Sequence, residues 1–333
     1  MTSSWAGSVA RHQPLVDPQG RLIVYLRLSL TDRCNFRCSY CSPGLETAQG
    51  DALDRAAIRR LVSLFAGMGI RRVRLTGGEP TLRRDIVEVV EDIGGTPGIE
   101  EVALTTNGHL LEDLAGPLRR AGLRQLNVSF DTFDGERLER LSGRGADVDR
   151  IRRGIAAAAR AGYPSLKINS VVLRGVNDGE LGELARFAWR HGAIARYIEL
   201  MPFGGGSPVS VAEMQGLLVA QGVRLEPDAT RGWGPARHMR GTSVEEGRAV
   251  RGLLGFIGAV TESFCEDCNR VRISAAGALR ACLGGRDEVP LEGILRDGSD
   301  GELEAAIREG LSRKRDRHHL DGESFPGMVQ IGG

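Results

Sequence analysis

The chain has 333 residues, of which 41% are hydrophobic and 26% are charged, as in ordinary soluble globular proteins. This length suits one large α/β domain or one domain with an appendage. The balance of 44 Lys and Arg against 43 Asp and Glu leaves a net charge of +1, which argues against bulk electrostatic affinity for nucleic acid or an anionic membrane.

The chain begins with a polar stretch, and we predict that residues 1–20 are a flexible lead-in. It has no apolar core followed by a cleavage site, so it does not resemble a secretory signal. No run of about 18 apolar residues follows, so no transmembrane helix is expected. We therefore expect a cytoplasmic protein. Because cytosolic thiols stay reduced, clustered cysteines there indicate metal binding or catalysis rather than disulfides.

Short β-rich runs alternate with amphipathic stretches from residue 21 to residue 202. The predicted strands cover 23–30, 71–76, 100–106, 124–130, 165–173 and 195–200. The clearest predicted helices cover 54–68, 148–162 and 180–191, with apolar residues at the i, i+3, i+4, i+7 spacing in the first and the last. Strands that alternate with helices predict βαβ units and a parallel sheet.

Each predicted strand has one apolar and one polar face. In the first strand, Leu26 and Leu28 alternate with Arg27 and Ser29. The other polar-face residues are Arg74, Thr76, Asn127, Ser129, Asp131, Lys167, Asn169, Glu199 and Met201. Parallel strands are usually apolar on both sides, so a polar second face predicts a wet lumen. We predict an α/β fold, a partial, open TIM-type barrel of about six βα units, with its site at the carboxyl ends of the strands.

After residue 202 the pattern changes. A Gly/Ser/Pro turn region at 203–210 precedes a predicted helix at 211–221. Predicted strands at 253–260, 270–274 and 278–282 and a last helix at about 301–314 follow irregular sequence. We predict that 203–333 is a C-terminal α+β extension that closes the barrel mouth.

All six cysteines of the chain fall into two sets of three. CNFRCSYC contains Cys34, Cys38 and Cys41, and the second set is Cys265, Cys268 and Cys282. Structural zinc sites close with four ligands, whereas thiolates also hold iron–sulfur clusters. Three thiolates leave one iron of a cubane free for another ligand. Structural zinc in either set and a redox dithiol at 265/268 remain alternatives at this point.

The first set, on the loop after the first barrel strand, resembles the radical S-adenosylmethionine (SAM) superfamily. Further stretches are similar to the GTP 3′,8-cyclase family, also called molybdenum cofactor biosynthesis protein A. They are TDRCNFRC, RLTGGEP, LTTNG, NVSFDT, GVND, FCEDCNRVRIS, LRACL and the terminal QIGG. The resemblance covers about residues 14–333.

This resemblance implies a lyase with two [4Fe–4S] clusters, one on each cysteine set. SAM would bind the open iron of the first, and the guanine end of GTP that of the second. It further implies that a 5′-deoxyadenosyl radical takes the ribose C3′ hydrogen of GTP. The product would be (8S)-3′,8-cyclo-7,8-dihydroguanosine 5′-triphosphate, formed in the first step of molybdenum cofactor biosynthesis.

The resemblance also assigns residues. SAM contacts are implied for Tyr40, Gly78, Ser129 and Met201. GTP contacts are implied for Arg27, Arg74, Thr105, Lys167, Arg270, Val271 and Arg272. Catalytic roles are implied for Arg270, Arg272 and the terminal Gly332 and Gly333. For Arg27 and Arg74, an internal salt bridge with Glu79, Asp131 or Glu199 is the structural alternative.

Three positions depart from the family pattern, namely Ser42, the 203–210 stretch and His238. The implied partners are cyclic pyranopterin monophosphate synthase downstream and an electron donor such as flavodoxin or ferredoxin, with the protein a monomer or homodimer. Two other functions remain open. One is a peptide-modifying radical SAM enzyme with auxiliary clusters, and the other is a zinc-stabilised binding module.

Overall fold

The computed structural model describes residues 12–41, 53–143, 145–202, 206–229, 234–285 and 287–317. Its first six strands are β1 (Tyr25–Ser29), β2 (Arg72–Thr76), β3 (Glu101–Thr106), β4 (Gln125–Ser129), β5 (Ser165–Val172) and β6 (Ile194–Glu199). The helices among them are α1 (Arg55–Gly67), α2 (Ile86–Gly94), α3 (Leu111–Arg120), α4 (Gly135–Ser142), α5 (Val148–Ala161) and α6 (Leu181–Arg190). All six predicted strands are confirmed.

The first helix illustrates why the βα units form. Asp54 caps α1 by accepting a hydrogen bond from the backbone N–H of Ala57. The predicted apolar positions, among them Ile58, Leu61 and Phe65, are buried against the sheet. Burial of such a stripe is what fixes an amphipathic helix on a sheet face.

Within its described residues, the C-terminal region adds six strands and three helices. They are α7 (Val211–Ala220), β7 (Arg224–Pro227), β8 (Arg237–Glu245), β9 (Arg248–Ile257), β10 (Arg270–Ile273), β11 (Ala278–Arg280), β12 (Val289–Pro290), α8 (Glu292–Asp297) and α9 (Asp300–Ser312). All described strands form one sheet in the order β12-β11-β10-β1-β2-β3-β4-β5-β6-β9-β8-β7. β10 pairs parallel to β1, and β9 pairs parallel to β6. The extension therefore lengthens both edges of the barrel sheet, and the sheet stays open, as predicted for a partial barrel.

The β8–β9 hairpin was not predicted as a pair. Its turn residues Glu246 and Gly247 both have positive φ, as in the tight turns that suit twisted hairpins. The two strands contain Gly241 and Gly252, which weaken a strand signal in sequence. Both glycines lie against the Trp189 ring, where an added Cβ would come within 2.5 and 2.2 Å of ring atoms. A tertiary contact thus explains a composition that suggested irregular structure.

The cavity lining agrees with the predicted polar faces of β1, β2, β4 and β5 and corrects the face of β6. Ala195, Tyr197 and Glu199 are buried, whereas Arg196 and Ile198 are partly exposed to the cavity. The register pairs Arg196 with Asn169 and Ile198 with Val171, which puts them on the inner face. The prediction that Ile198 faces the helices was wrong, because a buried Tyr197 occupies that side.

The predicted flexible lead-in is also corrected where the structure describes it. Leu15 is fully buried, and its backbone N–H donates to the Met68 carbonyl at 3.0 Å. Val16 and Leu22 form an antiparallel bridge. Residues 12–20 therefore belong to the packed structure, while residues 1–11 lie outside the described residues. Among the described residues, no helix is long and apolar enough to cross a membrane.

Replacement of Leu15 tests this packing. Leu15→Ala should destabilise the protein by about 2–5 kcal/mol, because it removes a fully buried side chain and leaves a cavity. Val16→Ala is the matched control, since Val16 is 52% exposed and should change stability by about 0.5 kcal/mol or less. Denaturant unfolding measures both, and equal small effects would contradict the assignment.

Candidate functional site

A cavity of 1130 Å³ lies on the polar, inner face of the sheet. Most side chains singled out in the sequence line it. They are all six cysteines together with Arg27, Tyr40, Arg74, Gly78, Thr105, Ser129, Lys167, Met201, Arg270 and Arg272. His238 lines it as well.

One described site residue, Val271, does not line this cavity. Val271 is 1% exposed and belongs to the hydrophobic core, because it alternates with Arg270 and Arg272 along β10. Any contact of Val271 with a ligand in the cavity would therefore be made by its backbone. Gly332 and Gly333 lie outside the described residues, as do Ser42 and residues 203–205 of the turn region.

The two cysteine sets lie at opposite ends of the cavity. The first set follows the carboxyl end of β1. Cys265 and Cys268 precede the amino end of β10, which runs parallel to β1. Cys282 follows β11, which runs antiparallel to β10 and so returns to the same end. Anything that touches both sets must span the length of the strands.

The loop of the first set is fixed by neighbouring backbone. Arg37 N–H donates to the Ser142 carbonyl at 2.7 Å, and Ser39 N–H donates to the Leu141 carbonyl at 2.8 Å. Burial raises the pKa of the Cys34 and Cys38 thiols to about 12. These sulfurs are therefore protonated near neutral pH in the absence of a cation, and they deprotonate when a metal centre supplies positive charge.

The GGEP stretch after β2 packs directly against that loop. The Gly78 N–H donates to the Thr31 carbonyl at 2.7 Å, and the Glu79 N–H donates to the Arg33 carbonyl at 2.8 Å. A Cβ on Gly78 would lie 2.3 Å from the Arg33 carbonyl oxygen. Glycine is needed here because backbone meets backbone, just before Cys34.

Glu79 has a structural role at the end of the cavity that carries the first cysteine set. Its carboxylate accepts hydrogen bonds from the Thr81 hydroxyl, the Thr106 hydroxyl and the Asn107 N–H, at 2.5 to 2.7 Å. Burial raises the pKa of this carboxyl, and these donors offset part of that shift. Glu79 thereby ties the end of β2 to the end of β3.

The second set has the opposite electrostatic environment. Burial raises the pKa of the Cys268 thiol, but Arg270 and Lys314 lower it by more, to about 7. Lys314 is 3% exposed and lies on the cavity wall. A thiolate is thus readily available at this end of the cavity.

Between the two ends lies a cluster of cationic side chains. Its members are Arg27, Arg74, Lys167, Arg196, Arg270 and Arg272, which we call the cation cluster. Burial and the charge of Arg272 lower the pKa of Arg27 well below its usual value. Burial and the charges of Arg196 and Arg74 lower the pKa of Lys167 to about 7. Like charges held together out of water favour an anionic ligand.

For Arg74, the alternative of an internal salt bridge is not supported. Arg74 donates to the Tyr25 hydroxyl, the Thr105 hydroxyl and the Gln125 amide oxygen, all neutral. The carboxylates considered as partners accept from other donors. Glu199 accepts from the N–H groups of Val260 and Thr261, and Asp131 accepts from Tyr40 and Val171.

Arg196 is a cavity residue that was not predicted from the sequence. Burial and Arg74 lower the pKa of its guanidinium to about 10. The alternation in ARYIE could have revealed it, had Ala195 and Tyr197 been taken as the buried face. Its Nε and the side-chain oxygens of Asn127 and Asn169 are buried and lack a hydrogen-bond partner in the described structure. All three residues line the cavity, which indicates that a polar ligand completes them.

The donor chemistry of each cysteine set fits an iron–sulfur cluster. Three thiols of each set line the cavity, and cysteine thiolates are the ligands of [4Fe–4S] clusters. Among the described residues, no three His, Cys, Asp or Glu side chains converge closely enough to hold one metal ion.

The matches with known proteins cover nearly the whole chain. The Radical SAM superfamily model matches residues 28–188, and the Molybdenum Cofactor Synthesis C model matches residues 193–320. A GTP 3′,8-cyclase of Heliobacterium modesticaldum is 40% identical, over 96% of this chain and 100% of its own. A GTP 3′,8-cyclase of Rhizobium etli is 40% identical, over 92% of this chain and 88% of its own.

One solved structure illustrates the fold. Streptococcus suis SuiB bound to precursor peptide SuiA aligns with a TM-score of 0.62, over 94% of this chain and 77% of its own. At 16% identity this likeness concerns the fold alone.

The close approach at Gly78 yields a test. Gly78→Ala should displace the loop before Cys34, because the new Cβ would overlap the Arg33 carbonyl. After anaerobic reconstitution, iron should fall from about eight to about four atoms per chain. Gly216→Ala in α7 is the control, since nothing lies within 4 Å of its added Cβ. Full iron in Gly78→Ala would contradict this account.

Proposed function

Because the chain belongs to the GTP 3′,8-cyclase family of the radical SAM superfamily, we propose that it converts GTP to (8S)-3′,8-cyclo-7,8-dihydroguanosine 5′-triphosphate. One observation carries the proposal, the cation cluster that lies between two three-cysteine sets in a single cavity. A triphosphate is an anion dense enough to neutralise such a cluster, and Arg binds its oxygens with paired donors.

The first cysteine set and its surroundings would hold the cofactor. Cys34, Cys38 and Cys41 would bind a [4Fe–4S] cluster, as the radical SAM family implies. The SAM-contacting residues would be Tyr40, Gly78, Ser129 and Met201, all of which line the cavity. Bound SAM supplies the 5′-deoxyadenosyl radical that takes the C3′ hydrogen of GTP. Tyr40 is held in position, since its hydroxyl donates to Asp131 at 2.5 Å.

GTP would lie between the two ends. Arg27, Arg74, Thr105, Lys167 and Arg196 would bind the triphosphate, with Arg74 already oriented by three neutral partners. Its guanine end would reach a second [4Fe–4S] cluster on Cys265, Cys268 and Cys282. This position of GTP is supported by the two cysteine sets, which lie at opposite ends of the cavity. One substrate in contact with both sets must extend across the cavity.

Arg270 and Arg272 would take catalytic roles from the end of the cavity that carries the second cysteine set. They alternate with Val271 so that both side chains face the cavity, close to that set. There they would neutralise charge on the nucleotide and so hold its ribose in place for the radical formed at the other end. Gly332 and Gly333 would complete the site, a role that rests on the terminal QIGG alone.

The cellular partners follow from this reaction. The product would pass to a cyclic pyranopterin monophosphate synthase, and flavodoxin or ferredoxin would supply the electron. We propose a cytoplasmic monomer or homodimer. The support is the family and the fitted cofactor, an iron–sulfur centre that needs an external reductant.

The proposal is tested by an anaerobic assay of reconstituted protein with SAM, GTP and a reductant. About eight irons per chain, GTP-dependent 5′-deoxyadenosine and the cyclised nucleotide are expected. SAM cleavage without any cyclised GTP would overturn the proposal. It would favour the peptide-modifying alternative, which keeps the first cluster and lacks a nucleotide substrate.

Lys167 predicts a pH dependence of GTP binding. Its pKa of about 7 in the free site should rise when a triphosphate binds nearby, so binding takes up a proton. Between about pH 7.5 and about pH 8.5, where GTP is fully ionised, Kd should therefore rise with pH by up to about tenfold.

Lys167→Arg provides the matched variant, because guanidinium keeps its charge over this range. Its Kd, measured by anaerobic titration of reconstituted protein, should be nearly independent of pH there. Parallel pH profiles in the two proteins would show that Lys167 does not titrate on binding.

A further inference from the structure

Lys314 is a buried cation that the proposed reaction does not use directly. It follows the last helix, α9, and is 3% exposed. Its Nζ donates to the Arg270 carbonyl at 2.8 Å and to the Ala281 carbonyl at 2.6 Å. Two donors of the buried ammonium therefore bind backbone carbonyls, as a buried lysine requires.

These partners join the two halves of the second cysteine set. Arg270 follows Cys268 by two residues, and Ala281 directly precedes Cys282. The two segments are separated along the chain by β10 and β11. Lys314 is thus a cross-link between the segment that carries Cys268 and the segment that carries Cys282.

Arg21 extends this cross-link to Cys265. Its Nη1 donates to the Cys265 carbonyl at 2.6 Å, and its Nη2 donates to the Arg315 carbonyl at 2.8 Å. Asp17 fixes the guanidinium by accepting from its Nε at 2.6 Å. Lys314 thus contacts backbone near Cys268 and Cys282, and Arg21 links the Arg315 carbonyl to the Cys265 carbonyl.

The charge of Lys314 lies next to the segments that carry Cys268 and Cys282. Its two carbonyl partners are neutral. Taking an ammonium out of water is costly unless an anion compensates it. A positive charge close to an iron–sulfur cluster stabilises the more negative, reduced form of the cluster.

We propose that Lys314 is a positioning residue for the second cluster, which holds the Cys268 and Cys282 segments together and, through its positive charge beside those segments, raises the reduction potential of that cluster. This inference rests on the proposed function, which puts a cluster on these cysteines. Because the guanine end of GTP would bind the same cluster, Lys314 would also set the charge that the nucleotide meets.

The test uses a full-length parent in which Cys34, Cys38 and Cys41 are replaced by Ala, so that only the second cluster can form. In this parent, Lys314→Met removes charge and donors at similar length, and Lys314→Arg keeps the charge. Arg313→Met is the control, since Arg313 is the exposed neighbour paired with Glu309. The readouts are the midpoint potential from an anaerobic titration followed by electron paramagnetic resonance, and the rate of iron loss to a chelator.

Lys314→Met should shift the potential to a more negative value and lose iron several-fold faster than the parent. Lys314→Arg should restore most of the potential, and Arg313→Met should match the parent. Parental potential and iron retention in Lys314→Met would overturn the inference. Should Lys314→Met hold no iron, an unchanged melting temperature of the iron-free protein supports a role at the cluster. A lowered melting temperature of the iron-free Lys314→Met protein makes Lys314 a residue of the fold and overturns the inference.

A failure of the proposed function gives a different result from a failure of this inference alone. If the parent, with Lys314 intact, takes up no iron at the second cysteine set, the two-cluster proposal fails and this inference fails with it. An iron-loaded parent with an unresponsive Lys314→Met refutes the inference alone.

Discussion

The cation cluster on the inner face of the sheet imposes the main physical constraint on the structure, because it holds like charges close together. Its side chains repel one another, and burial together with this repulsion lowers the pKa values of Arg27 and Lys167. Neutral partners such as the Tyr25 hydroxyl orient Arg74 without neutralising it. A bound triphosphate would relieve the repulsion, so the energy stored in the free site becomes affinity and selectivity for a polyanion.

The sheet fixes where a bound anion lies relative to the two cysteine sets. Parallel pairing of β10 with β1 puts one cysteine set at the carboxyl end of the strands and the other at the amino end. The distance between the sets is therefore a property of the strands and not of flexible loops. Rigid separation suits a reaction in which a radical formed at one end must meet one hydrogen of a substrate anchored at the other.

Much of this could be predicted from local patterns. The six barrel strands, the helix face with Ile58 and Leu61, and the inward side chains Arg27, Arg74 and Lys167 follow from periodicity alone. Other features depend on contacts between distant segments. The glycine-bearing β8–β9 hairpin is explained by Trp189, and the ordered chain around Leu15 by Met68. The face of β6 was mistaken because Ile198 is an apolar residue in a polar cavity, while Tyr197 is buried.

The role of a site residue was harder to predict from the sequence than its position in the fold. Glu79 belongs to the GGEP stretch, but its carboxylate oxygens accept hydrogen bonds from Thr81, Thr106 and Asn107. Its role is therefore structural. Lys314 lies in a basic stretch that suggests a solvated surface, and only the fold brings it to the second cysteine set. No local signal could reveal this, since Lys314 is far from Cys268 along the chain.

The central claim is that GTP spans the cavity, with its ribose presented to the first cysteine set. It is tested most directly with GTP deuterated at C3′, incubated anaerobically with the reconstituted protein, SAM and reductant. The account predicts deuterium in the 5′-deoxyadenosine, in step with formation of the cyclised nucleotide. Unlabelled 5′-deoxyadenosine formed alongside unchanged GTP would contradict it.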